Sequence, residues 1–403
     1  MATTTLNLDL NKDAFYRYRI SEPQTIFDSK QIYDNQPLFW DDQETSGGGT
    51  SSTYNTDQAS TTLAVGNLTA GTRTRQTFRR FDYQPGKSQL AIMTGIIGAS
   101  ATGITSQIGQ FDDNNGLFFE MDATGFGVVV RTYTSGSPVD TRVAQASFNI
   151  DKMDGTGDSG ITLDFTKTQI YYISYEWLGV GSIWFGTFIN GVPYNMHRVD
   201  NANSNTLVYM STPNLPLRYS INNDGTGAAA SLLHICSTVI TEGGRQDTGV
   251  QKGLPRDGSS LTTLNNTNIY PLIGIRLKST HLGALINVIH NHIICTSTAE
   301  YVWYIILNPS IVGDAPSWQN KTNSAIQYCY PTNTTTITGG EILDTGLGSD
   351  TNQSRGGTES ITQSDLVLGS AIDGTPDEIY LAVKRVTGTT ETFWSTITFK
   401  ETN

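Results

Sequence analysis

Alternation of apolar and polar residues with a period of two runs through much of the chain, and residues 169–199 show it most clearly. A first run rich in strand-forming residues reaches a break at residues 178–181, and a second run covers residues 183–189. Asn190-Gly191 then supplies the two positive-φ residues of a tight hairpin, and a third run returns over residues 192–199. The pattern predicts a three-stranded antiparallel meander. Because it is too apolar on both faces to stand alone, we expect it to be the inner sheet of a β-sandwich.

Similar short runs, separated by Gly, Asn, Asp and Pro, recur at intervals of about 8–12 residues, which is typical of sandwich folds. They predict a larger jelly-roll-like sandwich over residues 71–242 and a smaller C-terminal β-sandwich over residues 265–403. Between them, residues 243–264 carry several glycines and Pro255, and we interpret this stretch as a linker. The predicted fold class is all-β, with two β-sandwich domains.

Residues 1–70 differ, because their apolar pieces are spaced too widely to close a core by themselves. We expect an extended N-terminal arm that lies against the chain's own body or against a neighbouring subunit. A disordered tail is the alternative, which the aromatic residues disfavour. A chain lacking residues 1–45 should then stay folded and soluble but fail to assemble. The residues assigned to this assembly contact are Phe15, Tyr16, Phe39 and Trp40.

Composition agrees with an all-β protein. Only 15% of residues are charged, glycine occupies 40 positions, and Ser, Thr and Asn are abundant. The chain has 25 Lys and Arg against 37 Asp and Glu, a net charge of −12, so nucleic acid and anionic membranes are not expected partners. A solvated acidic surface is the simplest interpretation.

The cysteines do not form a disulfide framework, since Cys236, Cys295 and Cys329 are odd in number and widely separated. Each lies in an apolar, strand-like context, so buried free thiols are expected. The first residues lack the basic and apolar regions of a secretory signal. No apolar run approaches the roughly 20 residues of a membrane helix.

Two acidic turns are the candidate metal sites. Oxygen-rich loops with glycine suit calcium, but their spacing does not match the helix-loop-helix calcium motif. Asp, Asn and Gly also populate plain turns, which is the favoured interpretation, and no cofactor is predicted. The candidate residues are Asp112, Asp113, Asp151, Asp154 and Asp158.

Catalytic signals are weak. Glu120 and Glu176 are acidic residues within strand patterns and could form a glycosidase pair, but a lone strand glutamate usually faces solvent. His290 and His292 share one strand face as possible metal ligands, yet no third ligand is evident nearby, so a solvated or subunit-contact face is preferred. No G-x-S-x-G, H-E-x-x-H or phosphate-loop motif occurs. We therefore predict a protein that is not an enzyme.

Several longer sequence segments, taken together, indicate a resemblance to known proteins. In the larger predicted domain they are TRQTFRRFDYQPGKSQ, GQFDDNNGLFFE, NIDKMDGTGDSGITLD, YEWLGVG, VYMSTPNLPLRY and HICSTVITEGG, and in the smaller one IILNPSIVG, TGGEILDTG, DGTPDEIYLAVKR and ETFWSTITFKE. In these segments the chain resembles virion structural proteins of tailed, cyanophage-like phages and other large DNA viruses of aquatic microbes. The resemblance covers most of residues 20–403 and brings no catalytic motif.

The resemblance implies a concanavalin-like jelly roll and a capsid-associated part, such as a decoration protein, minor capsid protein or fibre. It also implies location in the virion after assembly in the host cytoplasm. The implied partners are further copies in a homo-oligomer, with a trimer as one arrangement, and other virion proteins such as the major capsid protein.

The alternative function is a carbohydrate-binding, lectin-like module that attaches to a host glycan, or less favourably a glycosidase. Aromatic platforms would then be needed, although aromatic residues in mid-strand more often belong to a core. The candidate platform residues are Trp177, Trp184, Tyr194 and Trp303.

Overall fold

The structure is a computed structural model that describes residues 21–244, 246, 248–262, 264–295, 299–349, 368–388 and 391–402. Over these residues the chain forms β-strands and short 3-10 turns and no α-helix, so the predicted all-β fold is confirmed. Within the same ranges, no helical segment has the length and apolarity needed to cross a membrane.

The strands divide into two sets along the chain. Those of the larger sandwich are β1 (Pro23–Lys30), β2 (Trp40–Gly47), β3 (Thr50–Asn55), β4 (Ser60–Val65), β5 (Gly71–Thr77), β6 (Ser88–Ile96), β7 (Ile104–Phe111), β8 (Gly116–Asp122), β9 (Gly125–Thr132), β10 (Val139–Ala144), β11 (Gln169–Tyr175), β12 (Ile183–Ile189), β13 (Val192–Val199), β14 (Leu217–Asn223) and β15 (Ala230–Glu242). Those of the smaller sandwich are β16 (Val250–Thr262), β17 (Tyr270–Leu277), β18 (Leu285–Cys295), β19 (Glu300–Leu307), β20 (Ser310–Val312), β21 (Gln319–Asn320), β22 (Ile326–Cys329), β23 (Thr336–Thr338), β24 (Glu341–Ser349), β25 (Glu378–Arg385) and β26 (Thr392–Thr402).

The larger sandwich packs an eight-stranded sheet against a seven-stranded sheet. The first has the order β13-β12-β11-β6-β15-β4-β3, with β1 beside β4 along the same edge of β15, and the second has the order β10-β9-β8-β7-β14-β5-β2. The predicted meander is confirmed as β11, β12 and β13, paired antiparallel at one side of the eight-stranded sheet. Inward side chains of both sheets form one core, which includes Met93, Ile108, Phe119, Ile173, Phe185 and Tyr219.

The predicted N-terminal arm is wrong for residues 23–65, because these residues form β1 to β4 of the two sheets. Of these strands, β1 and β4 contribute two core residues each, β2 contributes one and β3 contributes none, too few for the sequence pattern to reveal. Trp40 is 3% exposed, its indole Nε1 donates to Ser29 Oγ at 2.9 Å, and its ring packs edge-on against Tyr219. Phe39 also packs against this core.

Neither Trp40 nor Phe39 is therefore presented for contact with a neighbouring subunit, and their predicted role in assembly is corrected to a role in the core. The other two predicted contact residues, Phe15 and Tyr16, lie outside the described residues.

The predicted linker is also wrong over residues 250–262, which form the long strand β16 paired with β26. Pro255 does not break this strand, because β16 lies at the edge of its sheet and the Pro255 carbonyl is directed at the Tyr330 hydroxyl, away from β26. Proline lacks a backbone N–H and is tolerated where that group would face away from the neighbouring strand. Leu254 and Leu261 point inward and are buried. The chain therefore passes from β15 to β16 within residues 243–249, a shorter connection than predicted.

The smaller sandwich packs the three-stranded sheet β16-β26-β18 against the six-stranded sheet β21-β22-β17-β25-β19-β24. Its core includes Ile275, Ile305, Leu381 and Phe393. The two-stranded ribbon β20-β23 adds a satellite cluster in which Ile337 packs with residues of the six-stranded sheet. The predicted second sandwich is confirmed.

A buried polar cluster joins both sheets of the larger sandwich. Arg75 on β5 is 0% exposed, and its guanidinium pairs with the Asp42 carboxylate on β2. Its Nε donates to His234 Nδ1 at 3.1 Å, and Gln31 Nε2 lies 3.0 Å from the same ring nitrogen. Because Nδ1 accepts, the ring proton sits on Nε2 and is directed at Ser237 Oγ, 3.1 Å away. Burial and the Arg75 charge hold the pKa of His234 well below its usual value.

We expect Trp40→Ala to lower the free energy of unfolding by about 3–5 kcal/mol, since it empties a fully enclosed site. Tyr33→Ala removes an aromatic ring that is 91% exposed and should change it by less than about 0.5 kcal/mol. Urea unfolding monitored by circular dichroism measures both. Equal losses of stability in the two variants would contradict the assignment of Trp40 to the core. A chain that lacks residues 1–45 and still unfolds cooperatively would support the predicted N-terminal arm instead.

The His234 environment predicts a stability that falls on acidification. The unfolded chain takes up a proton at His234 near pH 6.5 whereas the folded chain does not, so the contribution is complete above about pH 6.5 and lost below it. For one such group the loss is about 1.4 kcal/mol per pH unit. His234→Gln should flatten the pH dependence of urea unfolding between pH 7 and 5, and the exposed His281→Gln should not. An unchanged slope in His234→Gln would contradict this assignment.

Candidate functional site

Two concave regions of the larger sandwich are candidates for a binding site. One is a cleft of about 680 Å³ between the edge strands β10 and β13, lined by Val128, Val130 and Val143 beneath a polar rim. His197 in its wall accepts from the Asn149 backbone N–H at 3.2 Å, and burial lowers the pKa of the imidazole. The valines belong to the inward faces of their strands, so this cleft is an opening between the sheets.

The other region, here named the sheet groove, lies on the outer face of the seven-stranded sheet and has a volume of about 390 Å³. Its floor comes from β2, β5, β7 and β14, one wall comes from the turn between β7 and β8, and a roof comes from the smaller sandwich. The residues that define it here are Gln43, Thr74, Gln107, Asp113, Arg131, Arg218, Ser220, Ile372 and Asp373.

A row of polar side chains crosses the floor at one residue per strand. Gln43 lies opposite Thr74, Thr74 opposite Ser220, Ser220 opposite Gln107, and Gln107 opposite Glu120. The Thr74 and Ser220 hydroxyl oxygens are 3.2 Å apart, and Gln107 Nε2 donates to Glu120 Oε2 at 2.8 Å. Cross-strand pairing therefore aligns hydroxyl, amide and carboxylate groups at intervals of about 4.8 Å.

Two arginines flank this row, and each is already paired. Arg218 Nη1 donates to Asp113 Oδ1 at 2.5 Å, and its guanidinium lies 5.4 Å from the Phe111 ring centre. Arg131 makes two hydrogen bonds to Asp140 at 2.7 and 2.8 Å. The ring contact and the paired carboxylates hold both guanidiniums in place, so the groove offers fixed N–H donors with compensated charge.

The roof is held by hydrogen bonds between the two sandwiches. Ile372 N donates to Asp41 Oδ2 at 2.8 Å, and Ser370 N donates to the Phe78 carbonyl at 3.0 Å. A Cβ on Gly369 would lie 2.3 Å from the Phe78 carbonyl oxygen, so only glycine permits this approach. Burial raises the pKa of Asp41, and the neighbouring Asp42 and Asp373 charges add to that effect.

The predicted metal candidates are used as caps of turns. Asp112 Oδ1 accepts from the backbone N–H groups of Asn114 and Asn115 at 2.8 Å each, and its other oxygen pairs with Arg80. Desolvation of the carboxylate opposes ionisation, but Arg80 and these N–H groups outweigh it, so the pKa of Asp112 lies below its usual value. The turn therefore already satisfies this carboxylate without a cation.

In the second acidic turn, carboxylates likewise accept hydrogen bonds from backbone N–H groups of the turn itself. Asp151 accepts from Met153 N and Ser159 N, both at 2.8 Å, and Asp154 accepts from Thr156 N at 2.9 Å, while Asp158 is exposed. Across the part of the chain that the structure describes, no three His, Cys, Asp or Glu side chains meet as a metal-binding group.

The candidate catalytic pair is not assembled. Glu120 on the outer face of β8 is 9% exposed and accepts from Arg142 Nε at 2.8 Å. Glu176 follows β11 of the opposite sheet and is exposed. The two glutamates thus lie on different sheets. His290 and His292 lie on β18 and, within the described ranges, join no metal-binding group.

The predicted aromatic platform residues are distributed over different surfaces. Trp303 is in the core of the smaller sandwich, and Tyr194 packs against the core of the larger one. Trp177 Nε1 donates to the Met210 carbonyl at 3.1 Å. Trp184 faces outward on the eight-stranded sheet, with the Arg198 guanidinium 4.8 Å from its ring centre. None of them lines the sheet groove.

Comparisons with known proteins bear on the fold only. No protein-family model matches the chain, and no curated protein matches it. Among solved structures, the Bacillus licheniformis β-glucanase has a TM-score of 0.33 and 12% identity, and covers 57% of this chain and 100% of its own. The Emp47p carbohydrate recognition domain has a TM-score of 0.34 and 10% identity, and covers 57% and 98%.

The CBM2 module of the evolved Dit of Lactobacillus casei BL23 phage J-1 has a TM-score of 0.36 and 7% identity, and covers 57% of this chain and 100% of its own. TM-scores this low imply nothing about a shared binding site, so the proposals below rest on the geometry of this chain.

We expect Asp112→Ala to lower the free energy of unfolding by about 3 kcal/mol, because Arg80 then loses its buried partner. Asp158→Ala, at an exposed position of the other acidic turn, should change it by less than about 0.5 kcal/mol. Differential scanning calorimetry with and without EDTA checks both statements. A melting temperature that EDTA lowers, or that calcium raises, would show that the turns hold a cation.

Proposed function

We propose that this chain is a non-enzymatic carbohydrate-binding protein and that the sheet groove is its binding site. The observation that carries the proposal is the row of hydroxyl and amide side chains across four neighbouring strands, from Gln43 to Gln107, beneath a roof. The hydrogen bonds that these side chains can donate and accept indicate the class of ligand.

Sugar hydroxyls both donate and accept hydrogen bonds, so they need a surface that offers both kinds of partner. Thr74 and Ser220 supply hydroxyls that do either, the guanidiniums of Arg131 and Arg218 donate, and the Asp373 carboxylate accepts. A volume of about 390 Å³ is sufficient for one or two sugar rings. The groove thereby suits a short polyol ligand.

Other ligand classes fit less well. An anion would find the charges of Arg131 and Arg218 already neutralised by Asp140 and Asp113. An apolar ligand would have to desolvate the polar floor without replacing its hydrogen bonds. Glycoside hydrolysis needs a matched pair of carboxyl groups about 5–9.5 Å apart, whereas Glu120 is committed to Arg142 and Gln107.

A role in a virus particle stays a prediction that rests on the sequence resemblance alone. It is compatible with glycan binding, because a particle protein that recognises host sugars would serve attachment. Electron microscopy of purified particles labelled at the C-terminus of this chain tests it. Label on the particle surface would support the role, and its absence from particles would refute it.

Binding should be seen on a glycan array and measured by isothermal titration calorimetry. Thr74→Val and Ser220→Ala each remove a hydroxyl at nearly constant shape, and we expect affinity to fall about tenfold for each, which corresponds to about 1.4 kcal/mol. Thr398→Val makes the matching change on the outer face of the smaller sandwich and should leave affinity unchanged.

Two results would overturn the proposal. One is a folded protein that binds no glycan on the array, and the other is binding that neither groove variant weakens. Release of reducing ends from a bound glycan by the wild-type protein would replace a binding function with hydrolysis.

A further inference from the structure

A second recess, here named the junction recess, lies between the two sandwiches and has a volume of about 500 Å³. The larger sandwich contributes the β7–β8 turn and the segment before β14, and the smaller sandwich contributes the connection between β17 and β18. Asn214 Nδ2 donates to the Gly283 carbonyl at 3.1 Å, which fixes this connection against the larger sandwich. The residues that define the recess here are Arg80, Asn114, Thr212, Ser279, His281 and Leu282.

The junction recess and the sheet groove share a wall on the larger sandwich, the β7–β8 turn. Asp112 and Asn114 line the junction recess, whereas Asp113 between them lines the sheet groove. Arg80 holds the turn from the side of the junction recess, through its ion pair with Asp112. Arg218 holds it from the side of the sheet groove, through its ion pair with Asp113, whose side chain is 76% exposed. Because consecutive Cα atoms are about 3.8 Å apart, only the width of one exposed turn separates the two recesses.

The smaller sandwich provides a second shared wall. A Cβ on Gly374 would lie 3.8 Å from Leu282 Cδ1, so the turn that contains Asp373 packs close to the β17–β18 connection. Asp373 lines the sheet groove, and Leu282 lines the junction recess. Both walls thus continue from one recess into the other, and the recesses lie end to end along the junction of the sandwiches.

The junction recess offers a ligand the same chemistry as the sheet groove. The Ser279 hydroxyl and the Asn114 amide can each donate and accept, and within the described residues neither side chain forms a hydrogen bond. The charge of Arg80 is already compensated by Asp112, so an uncharged ligand is favoured here too. Leu282 adds an apolar patch, which suits the C–H face of a sugar ring.

We propose that the two recesses form one continuous groove and that its ligand is an oligosaccharide chain of about four sugar units. This inference rests on the proposed carbohydrate-binding function. The sheet groove, at about 390 Å³, accepts one or two sugar rings, and the junction recess, at about 500 Å³, accepts a similar number. A chain of this length passes over the β7–β8 turn and contacts both recesses, whereas a disaccharide occupies only one of them.

Isothermal titration calorimetry with linear glucan, mannan and galactan oligomers of two to six units tests the proposal. For the series that binds, we expect the affinity to rise at least about tenfold between the dimer and the tetramer, because the added units make hydrogen bonds in the second recess. Beyond four units the affinity should change by less than about twofold, because further units lie outside the groove.

Variants in the junction recess separate its contribution from that of the sheet groove. Ser279→Trp fills the recess and should lower the tetramer affinity about tenfold while leaving the dimer affinity unchanged. Asn114→Ala removes an amide without filling the recess and should lower the tetramer affinity about threefold to tenfold. Ser137→Trp places the same ring in the exposed turn between β9 and β10, outside both recesses, and should change neither affinity. Unchanged circular dichroism and melting temperature show that each variant remains folded.

An affinity that is equal for all lengths and lowered by Thr74→Val would overturn the continuous groove while keeping the sheet groove as a binding site. A tetramer affinity that neither Ser279→Trp nor Asn114→Ala lowers would also overturn it. A protein that binds none of these oligomers would refute this inference, and a glycan array without any bound glycan would refute the proposed function with it.

Discussion

Arg75 is a buried charge, and the larger sandwich can close only if that charge is compensated. A guanidinium removed from water costs several kcal/mol unless it is paired and hydrogen-bonded. Asp42 supplies the opposite charge, His234 accepts from Nε, and the Asn35 carbonyl accepts from the remaining end. These partners lie on β2, on β15 and in the connection between β1 and β2. The N-terminal strands are therefore required elements of the fold, because without them Arg75 would remain in the core unpaired.

The sequence pattern predicts strands well where strands that are consecutive along the chain also pair with each other in the sheet. The meander around Asn190-Gly191 is such a case, since its register follows from one tight turn. It fails for Trp40 and for Val250–Thr262, whose partners β5 and β26 lie far away along the chain. After Trp40, β2 carries no further large apolar residue that would mark it as a strand. The glycines and the proline of β16 are typical of a linker, and only its pairing with β26 shows that it is a strand.

The candidate site was less accessible to sequence reasoning than the fold. Alternation in β5 and β14 makes Thr74 and Ser220 outward-facing, which is deducible, but outward polar residues are normal in any sandwich. What distinguishes them is a roof that includes Ile372, which follows Ser220 by about 150 positions and Thr74 by about 300. For the acidic turns, by contrast, composition alone favours the correct interpretation, that of plain turns. Asp112 shows the reason, because its carboxylate oxygens already accept from backbone N–H groups and from Arg80.

Ile372 belongs to the smaller sandwich and Ser220 to the larger one, so the sheet groove exists only while the two sandwiches are docked on each other. A ligand held there contacts both bodies, and its binding free energy is added to that of the few hydrogen bonds at their junction. Tension applied along the chain would then act on the bound ligand as well as on the protein. An occupied groove would resist mechanical separation of the two bodies more strongly than an empty one.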